Sequence, residues 1–181
     1  MDPTIGIALA VIIGLAVFDL WVGVANDAVN FLNSAIGSRI ATRRTIYLIA
    51  ALGVLFGALT SNGLMEVARR GVFDPSTFYT PEGTVMISAI LAIYLGVMAA
   101  DVLMLDLFNT FGLPTSTTVS IVSELVGASI AVALWLTPGG LGEALGVINA
   151  GPVLGIYSGI FLSVIVAFTV AAVLMFLVRL L

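Results

Sequence analysis

Long apolar runs alternate with short polar stretches along the chain. Five of these runs have about the length, roughly 20 residues, that an α-helix needs to cross a bilayer. They cover residues 4–25, 45–64, 84–108, 119–136 and 151–181. The strands of a membrane barrel would instead be short and would alternate apolar with polar residues. The pattern therefore predicts an all-α polytopic membrane protein with about five transmembrane helices.

Two polar stretches lie beside or between these runs and are expected to interrupt the helices. The first, GVANDAVNFLNSAIGSR, covers residues 23–39, and the second, NTFGLPTSTT, covers residues 109–118. Glycine followed closely by proline breaks a helix, and asparagines cluster where the first run should end. We expect broken or re-entrant segments near residues 23–38 and 109–118.

The composition supports a membrane protein and leaves no room for a soluble domain. The chain of 181 residues is 61 % hydrophobic and 9 % charged, whereas soluble domains have roughly 45–50 % apolar and about 25 % charged residues. A soluble fold of this length could not bury so much apolar surface. We predict a single transmembrane domain over residues 1–181, in a multi-pass protein of the cell membrane.

The charged and reactive residues exclude several classes of function. The net charge is −4 and the six basic residues are scattered arginines, so no basic patch for nucleic acid is present in the sequence. Cysteine and histidine are both absent. This absence excludes disulfides, thiolate or imidazole metal sites and histidine proton relays. The chemistry must use carboxylates, amides, hydroxyls and backbone dipoles.

The first polar stretch places several polar groups on one side of a helix. At 100° per residue, Asp19 and the asparagines at 26, 30 and 33 fall within about 60° of each other, and Asp27 lies at the edge of this stripe. A carboxylate at the bilayer centre costs about 2.5–3.5 kcal/mol, which a bound cation offsets. Carboxylate and amide oxygens suit hard cations such as Na⁺ or Mg²⁺. The alternative is a polar stripe that only holds helices together.

The second polar stretch has the features of an anion site. Pro114 is well placed to start a new helix, and Thr115, Ser116, Thr117 and Thr118 follow it. The first turn of a helix offers free backbone N–H groups and the positive end of the helix dipole. Four hydroxyls add donors without adding charge. The alternative is an ordinary capped loop at the membrane surface.

Four other acidic residues have open roles. Glu66 precedes Arg69 and Arg70 by three and four residues, so it forms either a surface ion pair or a carboxylate at the mouth of a cavity. Glu124 lies deep in the fourth run, and we expect it to face protein and to be protonated or paired. Asp101, like Asp106 five residues further on, could pair with another helix.

Three motifs, in the same order, resemble those of the inorganic phosphate transporter (PiT) family. The first, GVANDAVNFLNSAIGSR, resembles the family signature GANDVANAFGTAVGSR. The second, FGLPTSTTVSIV, resembles the family segment LGLPVSTTHAIVG. The third, GLMEVARRGVF, resembles the family stretch GxxVxETIRKGI. The resemblance implies uptake of inorganic phosphate coupled to Na⁺ or H⁺. It also implies Na⁺ coordination by Asn26, Asp27 and Asn30. By the same resemblance, the hydroxyls at positions 116–118 bind phosphate, and Glu66 participates in ion coupling.

Two departures from the family pattern matter. Val119 occupies the position of the histidine that usually follows the S-T-T motif. Family members also carry two inverted copies of this repeat, whereas this sequence has one of each motif. The resemblance therefore implies one half of an inverted-repeat transporter, whose partner is a missing second repeat or an antiparallel copy of the same chain.

The function predicted from the sequence is symport of inorganic phosphate with Na⁺ or H⁺ across the lipid bilayer, without a catalytic residue or a cofactor. Phosphate would be bound by residues 115–118 together with Asn30, Na⁺ by Asn26, Asp27 and Asn30, and Glu66 would serve coupling. One alternative is a non-transporting scaffold or an inactive half-transporter. Another is an intramembrane aspartyl hydrolase that uses Asp27 and Asp101. The sequence does not distinguish Na⁺ from H⁺ as the coupling ion, or phosphate from arsenate or sulfate as the substrate.

Overall fold

The computed structural model describes residues 3–60, 71–78 and 86–180, and this part of the chain is almost entirely helical. A short 3₁₀ turn, Pro75–Phe78, precedes the third helix. Within the described ranges the α-helices are α1 (Pro3–Gly37), α2 (Arg43–Thr60), α3 (Ile87–Phe111), α4 (Thr117–Leu136), α5 (Gly140–Leu145) and α6 (Ala150–Leu180).

Five of these helices are long and apolar enough to cross a membrane, and α5 is the exception. This confirms the predicted all-α polytopic fold. The helices coincide with the five apolar runs, although α1 is longer than its run. Its 35 residues extend about 52 Å at 1.5 Å per residue, well beyond the ~30 Å hydrocarbon core.

The expected break near residues 23–38 is wrong, because α1 continues without interruption to Gly37. The stretch contains no proline, so each residue keeps the backbone N–H that the helical hydrogen bonds need. The helix ends only where Arg39 adopts a left-handed conformation with φ of 53°. The asparagines of this stretch therefore lie on a continuous helix.

The expected break near residues 109–118 is confirmed. Gly112 takes the left-handed conformation, with φ of 66°, that ends α3. The N–H of Leu113 then donates to the carbonyl of Phe108 at 2.8 Å. After Pro114, the side chain of Ser116 caps α4 by accepting a hydrogen bond from the N–H of Val119 at 3.4 Å. The chain thus reverses direction within five residues.

Helix α3 occupies the centre of the bundle and packs against both α1 and α4. Asp19 of α1 interacts with Asp101 of α3, and Asn26 bonds to Asn109, so α1 and α3 run in the same direction. α4 runs back along α3 after the break. The shared core consists of buried apolar side chains: Ala89, Ile93, Val97, Val122, Leu125 and Ala133.

The segment before the 3₁₀ turn closes one end of this core. Two backbone hydrogen bonds of 3.0 Å, from Asp74 to Val147 and from Asn149 to Val72, attach it to the loop after α5. The ring of Phe73 packs edge-on against that of Phe78, with centroids 5.9 Å apart. Hydrogen bonds from the side chain and the backbone of Ser76 lower the pKa of Asp74, which lies outside the membrane-spanning helices.

Large apolar faces of the outer helices are exposed. Helix α6 contains no buried residue, and α2 buries only Ile46 among its described residues. In a membrane protein such faces contact lipid or further transmembrane segments rather than water.

Candidate functional site

The candidate site lies where α1 passes the break between α3 and α4. Gly23 lies at this approach, where a Cβ would make ordinary van der Waals contact with Leu105 and Thr117, at 3.7 and 3.8 Å. The side chains that follow Gly23 on the same face of α1 therefore meet the residues of the break. This brings the two polar stretches of the sequence together.

Asn26 fastens α1 to the break. It is 4 % exposed, and its Nδ2 donates to Oδ1 of Asn109 at 2.8 Å. Its Oδ1 accepts a hydrogen bond from the backbone N–H of Thr115 at 3.3 Å. Asn109 in turn donates to the carbonyl of Val22 at 3.1 Å. The carboxamide of Asn26 is thus largely engaged by protein groups.

Asp27 reaches the first turn of α4. Its Oδ2 accepts a hydrogen bond from the hydroxyl of Thr117 at 3.4 Å, and its side chain is only partly buried. A carboxylate at a helix N-terminus is stabilised by the positive end of the helix dipole. The same dipole, however, would also attract a substrate anion. Asp27 and an incoming anion therefore compete for one positive helix end.

The four hydroxyls of residues 115–118 do not converge on one point. Thr115 contributes its backbone N–H to Asn26, Ser116 caps α4, and Thr117 faces Asp27. Thr118 instead lines a groove of about 700 Å³ on the other side, together with Gly155 of α6 and neighbouring residues. Of the predicted phosphate residues, Thr117 is the one whose side chain bonds to the predicted cation residues.

Asn30 lies one turn beyond Asn26 on α1 and is exposed. No hydrogen bond connects it to residues 115–118 in the part of the chain that the structure describes. It follows Asp27 by three residues on α1, and its predicted roles in cation and phosphate binding stay predictions. Glu66, the predicted coupling residue, lies outside the described residues.

A small cavity of about 70 Å³ lies beside the hydrogen bond between Asn26 and Asn109. Asn26, Asn109 and Pro114 contribute to its lining, together with Val29, Gly112 and Leu113. A volume of this size holds several waters, since a single water needs about 10–15 Å³ of such space. Its lining is mainly apolar, and the carboxamides of Asn26 and Asn109 are the side chains in it that could bind water or a small ion.

Sequence reasoning missed Asn109 as a member of the site. The signal was present, since Asn109 is a lone carboxamide in the last turn of an apolar helix, three residues before the glycine that ends it. Its partner, Asn26, is 83 residues away in the sequence, so helical periodicity could not identify the pair.

The Asn26–Asn109 contact gives a first testable prediction. In a double-mutant cycle with Asn26→Ala and Asn109→Ala, we expect a coupling free energy of unfolding of about 0.6–2 kcal/mol, the range for hydrogen bonds between transmembrane helices. Unfolding in mixed detergent micelles measures it. Thr169→Ala on α6, whose hydroxyl donates only to its own helix at Ile165, is the control and should be additive with either variant.

The hydrolase alternative requires a shared proton between two aspartates in direct contact. The structure gives Asp27 and Asp101 different partners, Thr117 and Ser120 respectively. Nothing in the described geometry favours a paired catalytic role for them.

Several relatives of this chain are named as phosphate permeases. A "putative phosphate permease" of Pyrococcus abyssi is 34 % identical over 134 residues, which are 74 % of this chain and 31 % of the relative. The protein of the same name from Thermococcus kodakarensis is 34 % identical over 134 residues, 74 % of this chain and 30 % of the relative. One from Mycobacterium tuberculosis is 32 % identical over 116 residues, 64 % of this chain and 20 % of the relative.

The chain spans about a third, or less, of the length of these curated relatives. No solved structure matches it significantly. The family model described as the phosphate transporter family matches residues 23–181, from the start of the Asn-Asp stretch onward. Because this match covers most of the sequence and includes both halves of the candidate site, the chain belongs to the phosphate transporter family.

Proposed function

We propose that this chain forms one repeat of a symporter that carries inorganic phosphate across the cell membrane together with Na⁺ or H⁺. The observation that supports this most is the hydrogen bond between Asp27 and Thr117. It joins a membrane-embedded carboxylate to the first turn of α4, where a phosphate would be attracted.

The proximity of a carboxylate to an anion site explains why transport would need a cation. Two like unit charges 4 Å apart repel each other by about 4 kcal/mol at an effective dielectric constant of 20, and a phosphate dianion would meet about twice that repulsion. A Na⁺ or a proton on Asp27 removes this repulsion. Phosphate binding and cation binding would therefore be mutually favourable, which favours a carrier loaded with both.

The proposed cation ligands differ in how available they are. Asp27 is partly exposed and Asn30 is exposed, so both have oxygens free for a cation. Asn26 is buried and already accepts the N–H of Thr115, so its main contribution is to hold α1 against the break. Its carbonyl oxygen retains one lone pair for an ion in the adjacent small cavity.

The proposed phosphate ligands are neutral donors. Thr117 presents its hydroxyl beside Asp27, and the first turn of α4 presents backbone N–H groups. Ser116 caps this turn and Thr115 precedes it, whereas Thr118 lies on the turn but lines the groove beside α6. Glu66 is proposed to serve coupling by its motif alone. Neutral donors bind a dianion less tightly than arginines would, which suits a site that must release its substrate. A second repeat, or an antiparallel copy of this chain, would complete the pathway.

Radiolabelled phosphate tests this proposal in liposomes that contain the 181-residue chain. We expect phosphate to bind in the presence of Na⁺ or at acid pH, and to accumulate inside if antiparallel copies complete the pathway. Binding without accumulation would show that the missing length of the relatives is needed for transport. A chain that neither binds nor accumulates phosphate would contradict the proposal and favour the scaffold alternative.

A further inference from the structure

Asp101 is a buried acid that the proposed phosphate site does not use. It lies on α3, is 0 % exposed, and its Oδ1 is 2.8 Å from the hydroxyl oxygen of Ser120 on α4. The same hydroxyl oxygen is 2.8 Å from Oε1 of Glu124, one turn further along α4. Ser120 is itself 6 % exposed. Two carboxyl groups therefore flank one buried hydroxyl.

The number of hydrogens available decides whether both of these contacts can be hydrogen bonds. A serine hydroxyl has one hydrogen, so it can donate to only one of the two carboxyl groups. The other contact, at the same 2.8 Å, is a hydrogen bond only if that carboxyl group supplies the hydrogen. Both contacts are therefore hydrogen bonds only when at least one of Asp101 and Glu124 holds a proton.

The second oxygens of the acids give independent support. Asp19, on α1, interacts electrostatically with both Asp101 and Glu124. Each of the three acids has one buried oxygen without a hydrogen-bond partner among the described residues, namely Asp19 Oδ1, Asp101 Oδ2 and Glu124 Oε2. A buried oxygen that is both charged and unpartnered is costly in a membrane. Three such oxygens from three helices indicate that hydrogens are bound among them.

The charges around these acids offer no cationic partner in the described part of the chain. Its arginines are Arg39, Arg43 and Arg44, around the start of α2, and Arg179 in the last turn of α6. On the packed elements beyond α1, α3 and α4, the titratable groups are engaged elsewhere. Glu143 of α5 accepts the N–H of Gly139, and Tyr157 of α6 bonds to Ser123.

We propose that Asp101, Ser120 and Glu124, with Asp19 beside them, form an intramembrane proton-binding site that exchanges its proton with solution. A proton fits better than a metal ion, because no group of acids among the described residues has the arrangement of a metal site. The proton site stands by itself, and only its use in transport rests on the proposed function.

The position of this site relative to the candidate phosphate site suggests how it would be used. Asp101 precedes Asn109 by eight residues and Asp19 precedes Asn26 by seven, which is about 10–12 Å along each helix. Thr117, Ser120 and Glu124 are spaced three and four residues apart, so they share one face of α4. A line of polar groups therefore runs from Asp27 and Thr117 to the proton site.

Infrared spectroscopy of the reconstituted chain tests the proton directly. A protonated carboxyl group has a C=O stretching band separate from the carboxylate bands, and the band shifts when deuterium replaces the proton. We expect the wild-type chain to show this band at neutral pH, to shift it in D₂O, and to lose it as the pH rises. Glu124→Gln and Asp101→Asn keep the shape of the side chains, and we expect the band to be lost in at least one of them.

The matched control is Asp106→Asn, which alters an exposed acid one turn from Asp101 on the same helix and should leave the band unchanged. Circular dichroism confirms that each variant is folded. A band that persists in both Glu124→Gln and Asp101→Asn would overturn the proposal. Loss of the wild-type band on adding Na⁺ at constant pH would also overturn it, in favour of a cation site. Because the readout needs no phosphate, a chain that shows the band but never binds phosphate contradicts the proposed function alone.

Discussion

Phosphate uptake that depends on a cation is expected to fall by about 30-fold or more in Asp27→Asn, since removing one partner of a hydrogen-bonded charge pair typically costs about 2–5 kcal/mol. Asparagine keeps the shape of the side chain and can still accept the hydrogen bond of Thr117. What it lacks is the negative charge that would hold Na⁺ or a proton beside the phosphate. The measurement is the initial rate of radiolabelled phosphate uptake, with and without an inward Na⁺ or proton gradient. It uses the assembly that transports phosphate, whether antiparallel copies of this chain or the chain with a second repeat.

Asp106→Asn is the control for Asp27→Asn, because Asp106 is an exposed acid on a membrane-spanning helix, and no hydrogen bond connects it to Asn26, Asn109 or Thr117 among the described residues. It should transport phosphate at the wild-type rate. If Asp27→Asn retained both its uptake and its dependence on the gradient, the assignment of the cation to Asp27 would be wrong.

The second large effect is expected at Thr117. Thr117→Val keeps the branched shape that packs near Gly23 but removes the hydroxyl that faces Asp27. A hydrogen bond to a charged group contributes about 1.5–3 kcal/mol, so the affinity for phosphate should fall by about 10- to 100-fold. Thr117→Ser restores the hydroxyl and should recover most of the affinity. Equilibrium binding of radiolabelled phosphate measures all three chains.

Thr169→Val is the matched control for Thr117→Val, since Thr169 is an exposed threonine on α6 whose hydroxyl bonds within its own helix. It should bind phosphate like the wild type. Equal affinities for Thr117→Val and the wild type would show that the hydroxyl beside Asp27 does not contact phosphate.

The sequence alone was sufficient to predict the helices and one of the two breaks. Apolar runs are the primary signal of membrane-spanning helices, and a glycine followed by a proline ends a helix for local steric reasons, as at Gly112 and Pro114. The break expected near residues 23–38 was wrong because asparagine has no such steric effect on the helix. Asparagine lowers helix propensity only slightly, and α1 continues because packing against α3 compensates for it.

The site was predictable only in part. The motifs identified Asn26, Asp27 and Thr117, and the family match confirms the resemblance on which those assignments rest. The partnership of Asn26 with Asn109, and that of Asp101 with Ser120, depend on how α1, α3 and α4 pack. Contacts between helices are set by tertiary packing, which helical periodicity does not encode. Glu124, expected to face protein and to be protonated or paired, does lie against Ser120.

The central claim is that a cation and phosphate bind at the Asp27–Thr117 contact and that each strengthens the binding of the other. The most direct test is the phosphate affinity of the reconstituted chain, measured at a series of Na⁺ concentrations and pH values, for the wild type and Asp27→Asn. We predict that the wild-type affinity rises with Na⁺ or with protons, and that phosphate raises the affinity for the same cation by an equal factor. Asp27→Asn should lose this dependence. A wild-type phosphate affinity that responds to neither Na⁺ nor pH would contradict the account.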